Sequence, residues 1–154
     1  MRLTVSYAAG ILVAAILVMS SMGAVSYDTE TETETAHCSR VIDGDTIVLS
    51  TGERVRYIGI DTLEASGQLG NTIAEFNRYL VEGKDVRLEF DVDRYDKYDR
   101  LLAYVYVEEI FVNAVLVERG LARVMTVKPN VRHKKAFQRL QKKAKKERRG
   151  IWFK

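Results

Sequence analysis

The chain has 154 residues, 47% hydrophobic and 29% charged, a balance that fits one globular domain and excludes a disordered or fibrous protein. One cysteine, Cys38, rules out an internal disulfide and a cysteine-rich zinc site, and His37 and His133 are too few and too isolated to replace it. The net charge of +3 is unevenly spread: residues 1–36 are acidic, while residues 128–154 hold twelve Lys or Arg against Glu147 alone, which points to a polyanionic partner.

Behind Arg2, the stretch from Leu3 to Tyr27 carries no charge, and small residues follow its apolar part, with Ala24-Val25-Ser26 fitting a small-x-small cleavage site. Residues 1–26 are expected as a signal peptide or an N-terminal membrane anchor. Residues 3–27 are long enough to span ~30 Å of hydrocarbon at 1.5 Å per residue. Either outcome puts the protein outside the cytoplasm, secreted or tethered to the outer face of the membrane. Residues 27–36, dominated by alternating Thr and Glu, offer nothing to bury and are expected as an acidic tether. The folded domain is expected over 37–154.

Strand signals dominate the first half of that domain. Arg40 to Ser50 is rich in Val and Ile and is interrupted by Asp43-Gly44-Asp45; Thr51-Gly52 then turns into Arg54–Ile60. Lys84 to Asp91 alternates strictly, with Val86, Leu88 and Phe90 on one face, and is expected to pair with Leu101–Val107 across the charged loop 92–99. A helix is expected between the third and fourth strands, from Ile73, Phe76 and Leu80 at helical spacing, a Thr72–Glu75 capping box and a closing Gly83. A second helix is expected over Asn113–Arg119, stopped by Gly120, and a third over Val131–Arg149. The narrow apolar stripe of the third, Ala136, Phe137, Leu140 and Ala144, suits a helix packed on the domain with a solvated basic face better than a membrane-surface element. The fold class is therefore mainly β with α (α+β): a five-stranded barrel of the oligonucleotide-binding type with three packed helices, expected as a monomer.

The densest charge cluster outside the C-terminus, Asp91 to Arg100, fails as a helix-loop-helix calcium loop. Counted from Asp91, positions five, six and twelve hold Tyr95, Asp96 and Leu102, where an oxygen ligand, a glycine and a glutamate are needed. Other charged groups stand where packing does not ask for them: Asp43 and Asp45 around Gly44, Arg56 and Asp61 flanking Tyr57–Ile60, and Glu64 just beyond.

Read in order, Val41-Ile42-Asp43-Gly44-Asp45-Thr46, Arg56-x4-Asp61-Thr62-x-Glu64, Asp96-Lys97-Tyr98-x-Arg100-Leu101-Leu102-Ala103-Tyr104, Gly120-Leu121-Ala122 and Gly150-Ile151-Trp152 resemble the successive motifs of the staphylococcal nuclease (thermonuclease) family over about residues 38–154. The resemblance implies a calcium-dependent phosphodiesterase on an oligonucleotide-binding barrel, cleaving DNA and RNA at the bond to the 5′ oxygen to leave 3′-phosphate ends. Carried over by position, Asp45, Asp61 and the backbone carbonyl of Thr62 would bind Ca2+. Glu64 would activate the attacking water, Arg56 and Arg100 would bind the reacting phosphate, and Lys97 and Tyr98 would contact a nucleotide, single-stranded or frayed substrates being preferred.

These residue types suit the chemistry. Calcium takes oxygen ligands in a loose shell, arginine offers a fixed fork of donors to charge building on phosphoryl oxygens, and a carboxylate can orient water or accept its proton. The chain departs from the family pattern at Leu63, where proline is usual, in a shortened loop over Ala65–Gly70, and near Val124–Asn130, where the usual tyrosines are absent. The competing reading is a catalytically weak or inactive barrel that binds single-stranded nucleic acid.

Overall fold

The computed structural model describes residues 31–153; the leader or anchor expected at 1–26, and residues 27–30 of the tether, lie outside the described residues. Strands β1 (Thr33–Val41), β2 (Thr46–Leu49) and β3 (Arg54–Tyr57) form an antiparallel meander. Strands β5 (Asp85–Glu89) and β6 (Leu101–Val107) pair with each other across loop 92–99, and β5 also pairs with β1. One contact closes the ring. β3 runs parallel to β6, with Val55 opposite Leu101, Arg56 opposite Leu102 and Tyr57 opposite Ala103.

The result is the expected five-stranded closed barrel, its core built on Ile47, Val55, Tyr57, Val86, Leu88, Phe90, Ala103 and Val105. β5 keeps the alternation read from sequence, Val86 and Leu88 inside and Asp85 and Arg87 outside; β2 is buried along its whole length. Two short strands, β4 (Ile60–Thr62) and β8 (Ala122–Val124), make a separate antiparallel ribbon, and β7 (Ile110–Phe111) pairs antiparallel with the end of β6.

The barrel begins earlier than the sequence predicts. Thr33–Ala36, expected at the end of the tether, and His37, expected to open the domain, pair residue by residue with Glu89–Asp85. Ala36 is its one apolar residue, packed against the core opposite Val86. Backbone hydrogen bonds along β5, and the ion pairs of Arg94 with Glu32 and Glu34, hold a segment whose side chains are mostly solvated.

The described residues form three α-helices, as expected, with shifted boundaries. α1 spans Gln68–Val81 and starts four residues before the anticipated Thr72 cap. Its N-cap is Gly67, without a side-chain bond, and the Thr72 hydroxyl instead donates back to the Gln68 carbonyl at 2.9 Å. α2 (Val112–Glu118) buries Val112, Leu116 and Val117. Its Asn113 is fully buried and accepts from Val105 N at 2.9 Å while donating to Ile58 O at 3.0 Å, satisfying the backbone where the chain leaves β3. α3 (Lys134–Lys146) is shorter than the expected 131–149 and sends Phe137 and Ala144 into the core. Among the described residues no helix is long and apolar enough to cross a membrane.

His133, which sequence gave no role, helps fasten α3 to β5. Glu89 accepts from His133 Nε2 at 2.9 Å, Arg132 NH1 at 3.0 Å and the Tyr106 hydroxyl at 3.0 Å. Burial pushes the Glu89 carboxyl up, but these three donors outweigh it and hold the group below its ordinary value of 4.5. A depressed carboxylate adds stability above the unfolded value, and that stability is lost as pH falls through the folded one. The thermal midpoint is therefore expected to drop below about pH 4.5 more steeply in the native protein than in Glu89→Gln. Parallel acid limbs in the two proteins would contradict this role for Glu89.

Candidate active site

The turn between β1 and β2 is built by its own aspartates. The Asp43 carboxylate accepts from Asp45 N at 2.9 Å, and Ile42 N bonds Thr46 O at 2.9 Å, so the chain reverses and Asp45 enters the head of β2 with its side chain buried. Gly44 lies at the back of this turn. A Cβ there would fall 2.5 Å from Ile73 and 2.7 Å from the Thr62 hydroxyl, so only glycine lets the turn press against both α1 and β4. Asn77 of α1 ties the same turn to the barrel, accepting from the Tyr57 hydroxyl at 3.0 Å and donating to Asp43 O at 3.1 Å.

Asp45 is the hub. One carboxylate oxygen accepts from Thr62 N at 2.7 Å and the Thr62 hydroxyl at 3.1 Å; the other meets Arg56 Nε and the Thr46 hydroxyl, both at 3.1 Å. Burial pushes the carboxyl up to about 6, against the pull of Arg56, with Asp43 adding to the rise.

Arg56 reaches this point from β3, one residue before the barrel opens at Tyr57–Ile60. Its NH1 donates to the carbonyls of Tyr57 and Ile60, each at 2.8 Å, and its NH2 bonds Asp61 at 3.1 Å. The guanidinium thus holds both aspartates and the bend between β3 and β4, and four of its five N–H groups are engaged.

Arg100 is held differently. Asp96 takes its Nε at 2.7 Å and its NH2 at 2.6 Å through one oxygen, while the other accepts the backbone N–H groups of Tyr98 and Arg100. Asp96 therefore shapes the loop and aims the arginine, and three N–H groups of the fork take no partner among the described residues.

Asp45, Arg56, Asp61, Thr62, Glu64 and Arg100 line one polar cleft of about 60 Å³, together with Asp43. Glu64 is exposed and takes no hydrogen bond or ion pair among the described residues. Its backbone is fixed from behind: a Cβ on Gly70 would come within 1.9 Å of the Glu64 carbonyl, so the first turn of α1 docks directly on it. That contact, after a connection of only residues 65–67, restrains the segment in which Leu63 replaces the usual proline. Arg56 and Arg100 also border a larger neighbouring groove of about 510 Å³, where Lys97 and Tyr98 stand with Met125 and Val127.

The donor set fits a hard cation. Two carboxylates and the Thr62 carbonyl are all oxygen, as calcium prefers. Among the described residues no three His, Cys, Asp or Glu side chains make a metal site by themselves, so a cation here draws the rest of its shell from water and from a bound phosphate.

A family model described as staphylococcal nuclease homologue matches residues 54–154. The chain belongs to that family. It is 36% identical to a thermonuclease of Staphylococcus intermedius over 133 residues, 80% of this chain and 79% of that protein. It is 32% identical to a thermonuclease of Staphylococcus hyicus over 162 residues, 92% and 94% of the two chains. Endonuclease YncB of Bacillus subtilis (strain 168) is 41% identical over 126 residues, 75% of this chain and 60% of that protein.

Within this staphylococcal nuclease framework Arg56 has a structural role, because it pairs with the buried Asp45. Arg56→Gln would leave the buried Asp45 without its cation. The expected loss is about 3 kcal/mol near pH 7, the lower end for a broken buried pair, because Asp45 can take up a proton instead. Urea denaturation checks it, and a loss under about 1 kcal/mol, the range of a surface pair, would contradict it.

Proposed function

We propose that the chain is a calcium-dependent phosphodiesterase that hydrolyses DNA and RNA at the bond to the 5′ oxygen, leaving 3′-phosphate ends. Its family is one of nucleases, and the chain is a phosphodiester hydrolase of nucleic acid. The observation that carries the finer reading is the convergence of acids and arginines on one cleft. A surface that only held a polyanion would gain nothing from setting Asp43, Asp45, Asp61 and Glu64 against it.

Calcium held by Asp45, Asp61 and the Thr62 carbonyl would supply Lewis-acid polarisation of the phosphoryl group. Glu64, whose carboxylate has no partner among the described residues, orients the attacking water and accepts its proton. Arg100, with Arg56, donates to the oxygens on which negative charge builds. Lys97 and Tyr98 hold the adjoining nucleotide, and the apolar groove beside them favours an unstacked base and hence single-stranded or frayed substrates. All these groups come from one chain, so a monomer suffices. The uncharged run Leu3–Tyr27 supports export, with the enzyme secreted or tethered outside the cytoplasm.

The test is digestion of single-stranded DNA by the full-length chain in calcium, in magnesium and in chelator, with analysis of the new ends. Cleavage is expected in calcium, little in magnesium, whose strict octahedron suits this loose donor set poorly, and none in chelator, with 3′-phosphate ends. Equal rates in calcium and chelator, or 5′-phosphate ends, would overturn the reading. A barrel that binds without catalysis would leave the DNA intact throughout.

A further inference from the structure

The face of the β4–β8 ribbon that carries Asp61 continues past the cleft as a ridge of cations on an aromatic ring. Asp61 stands opposite Arg123 in the antiparallel register, which puts their side chains on one face with Cβ atoms about 5 Å apart. Met125, two residues on, shares that face by strand alternation; its N–H bonds Gly59 O at 3.0 Å and its side chain lines the groove. Arg123 itself lines neither cleft nor groove. It is exposed, and its guanidinium lies 5.8 Å from the centre of the Trp152 ring, over which Lys145 Nζ stands at 4.4 Å.

Neighbouring cations are neutralised: Lys143 and Arg149 reach Glu118. Arg123 and Lys145 enter no ion pair among the described residues. An indole face restrains such cations without cancelling their charge, and so leaves them available to an anion.

We propose that Arg123, Lys145 and the Trp152 ring that supports them form a second nucleic-acid subsite, which holds the phosphate backbone of the strand where it leaves the cleft. The proposal rests on the nuclease reading. Continuity with Asp61 and Met125 favours nucleic acid over an anionic membrane. A membrane-surface helix would also present an apolar face, whereas Phe137 and Ala144 of α3 are buried within the domain.

The experiment measures binding of the full-length chain to single-stranded DNA of about twelve nucleotides in chelator, across about 50 to 200 mM salt. The native protein is compared with Arg123→Gln, Arg123→Lys, Lys145→Gln and the double Gln variant, each checked for its thermal midpoint. Each lost phosphate contact is expected to lower the slope of log affinity against log salt by about 0.7, so the double variant loses about 1.4, while Arg123→Lys retains the native slope. Lys145 is exposed on α3, so its variant reads the ridge even if Arg123→Gln disturbs Trp152. Unchanged slopes in folded variants would overturn the subsite. So would weakened binding to phosphatidylserine vesicles with oligonucleotide binding intact. Cleavage by the native protein in calcium, assayed alongside, tells failure of the subsite apart from failure of the nuclease reading.

Discussion

Arg100→Lys is expected to fold with a nearly native thermal midpoint and to lose about 10²- to 10³-fold in kcat, or about 3–4 kcal/mol of transition-state stabilisation. The fold should tolerate it because what Asp96 contributes to the loop is mainly its bonds to the Tyr98 and Arg100 backbone, which the substitution leaves in place. The ion pair itself is partly exposed, with the arginine side chain 26% accessible, and lysine keeps the charge; such pairs add at most about 1 kcal/mol. What lysine cannot keep is the planar fork. Asp96 occupies Nε and one position of NH2, so the remaining donors are a directed set that a single ammonium does not reproduce. Thermal midpoint and kcat measured on one preparation separate the possibilities. A drop in stability with native turnover per folded molecule would make Arg100 a structural residue. Arg56 should not behave so cleanly, because four of its five N–H groups hold Asp45, Asp61 and two carbonyls.

The parts of this architecture that repeat locally were legible in the sequence. The alternation of Val86 and Leu88, the helical spacing of Ile73 and Leu80, and the Asp-Gly-Asp turn each impose a local geometry that the fold keeps. Closure of the barrel was legible only as a fold class, since the parallel contact of Val55–Tyr57 with Leu101–Ala103 joins segments with no local signature of each other. The start of β1 was hidden because Thr33–Thr35 pairs through its backbone while its side chains stay polar and exposed, and polar alternation looks like tether. The start of α1 was missed for a related reason: glycine caps it, and Thr72, which fits a cap by type, lies inside the helix and bonds back to Gln68.

The proposed site residues were legible as a set, and the cleft gathers Asp45, Arg56, Asp61, Thr62, Glu64 and Arg100, with Lys97 and Tyr98 beside it. Their supports were not. Asn77 falls on the apolar face of α1, four residues after Ile73 and three before Leu80, and there it is fully buried and joins the Tyr57 hydroxyl to the Asp43 carbonyl. Asn113 reads as the first residue of a helix rather than a bridge from β6 to Ile58. Asn130 joins both the N–H and the carbonyl of Asp93 at 2.8 Å, pinning loop 92–99 beside the groove. An unexpected polar residue inside an apolar pattern was the available signal for Asn77, and Gly70 in the first turn of a helix was the signal for the close approach to Glu64.

The central claim, that this cleft carries out hydrolysis and does not merely bind, is tested most directly at Glu64. Its side chain is exposed, and no hydrogen bond or ion pair among the described residues depends on it, so Glu64→Gln changes a proton acceptor and little else. General-base catalysis typically contributes about 10²- to 10⁴-fold, and a loss of kcat in that range is expected, with the thermal midpoint and oligonucleotide affinity close to native. The decisive measurement is kcat of Glu64→Gln on single-stranded DNA in calcium, taken on a preparation whose folding and binding have been verified. A fall of at least about 10²-fold is the result predicted here, and turnover near that of the native protein would contradict it.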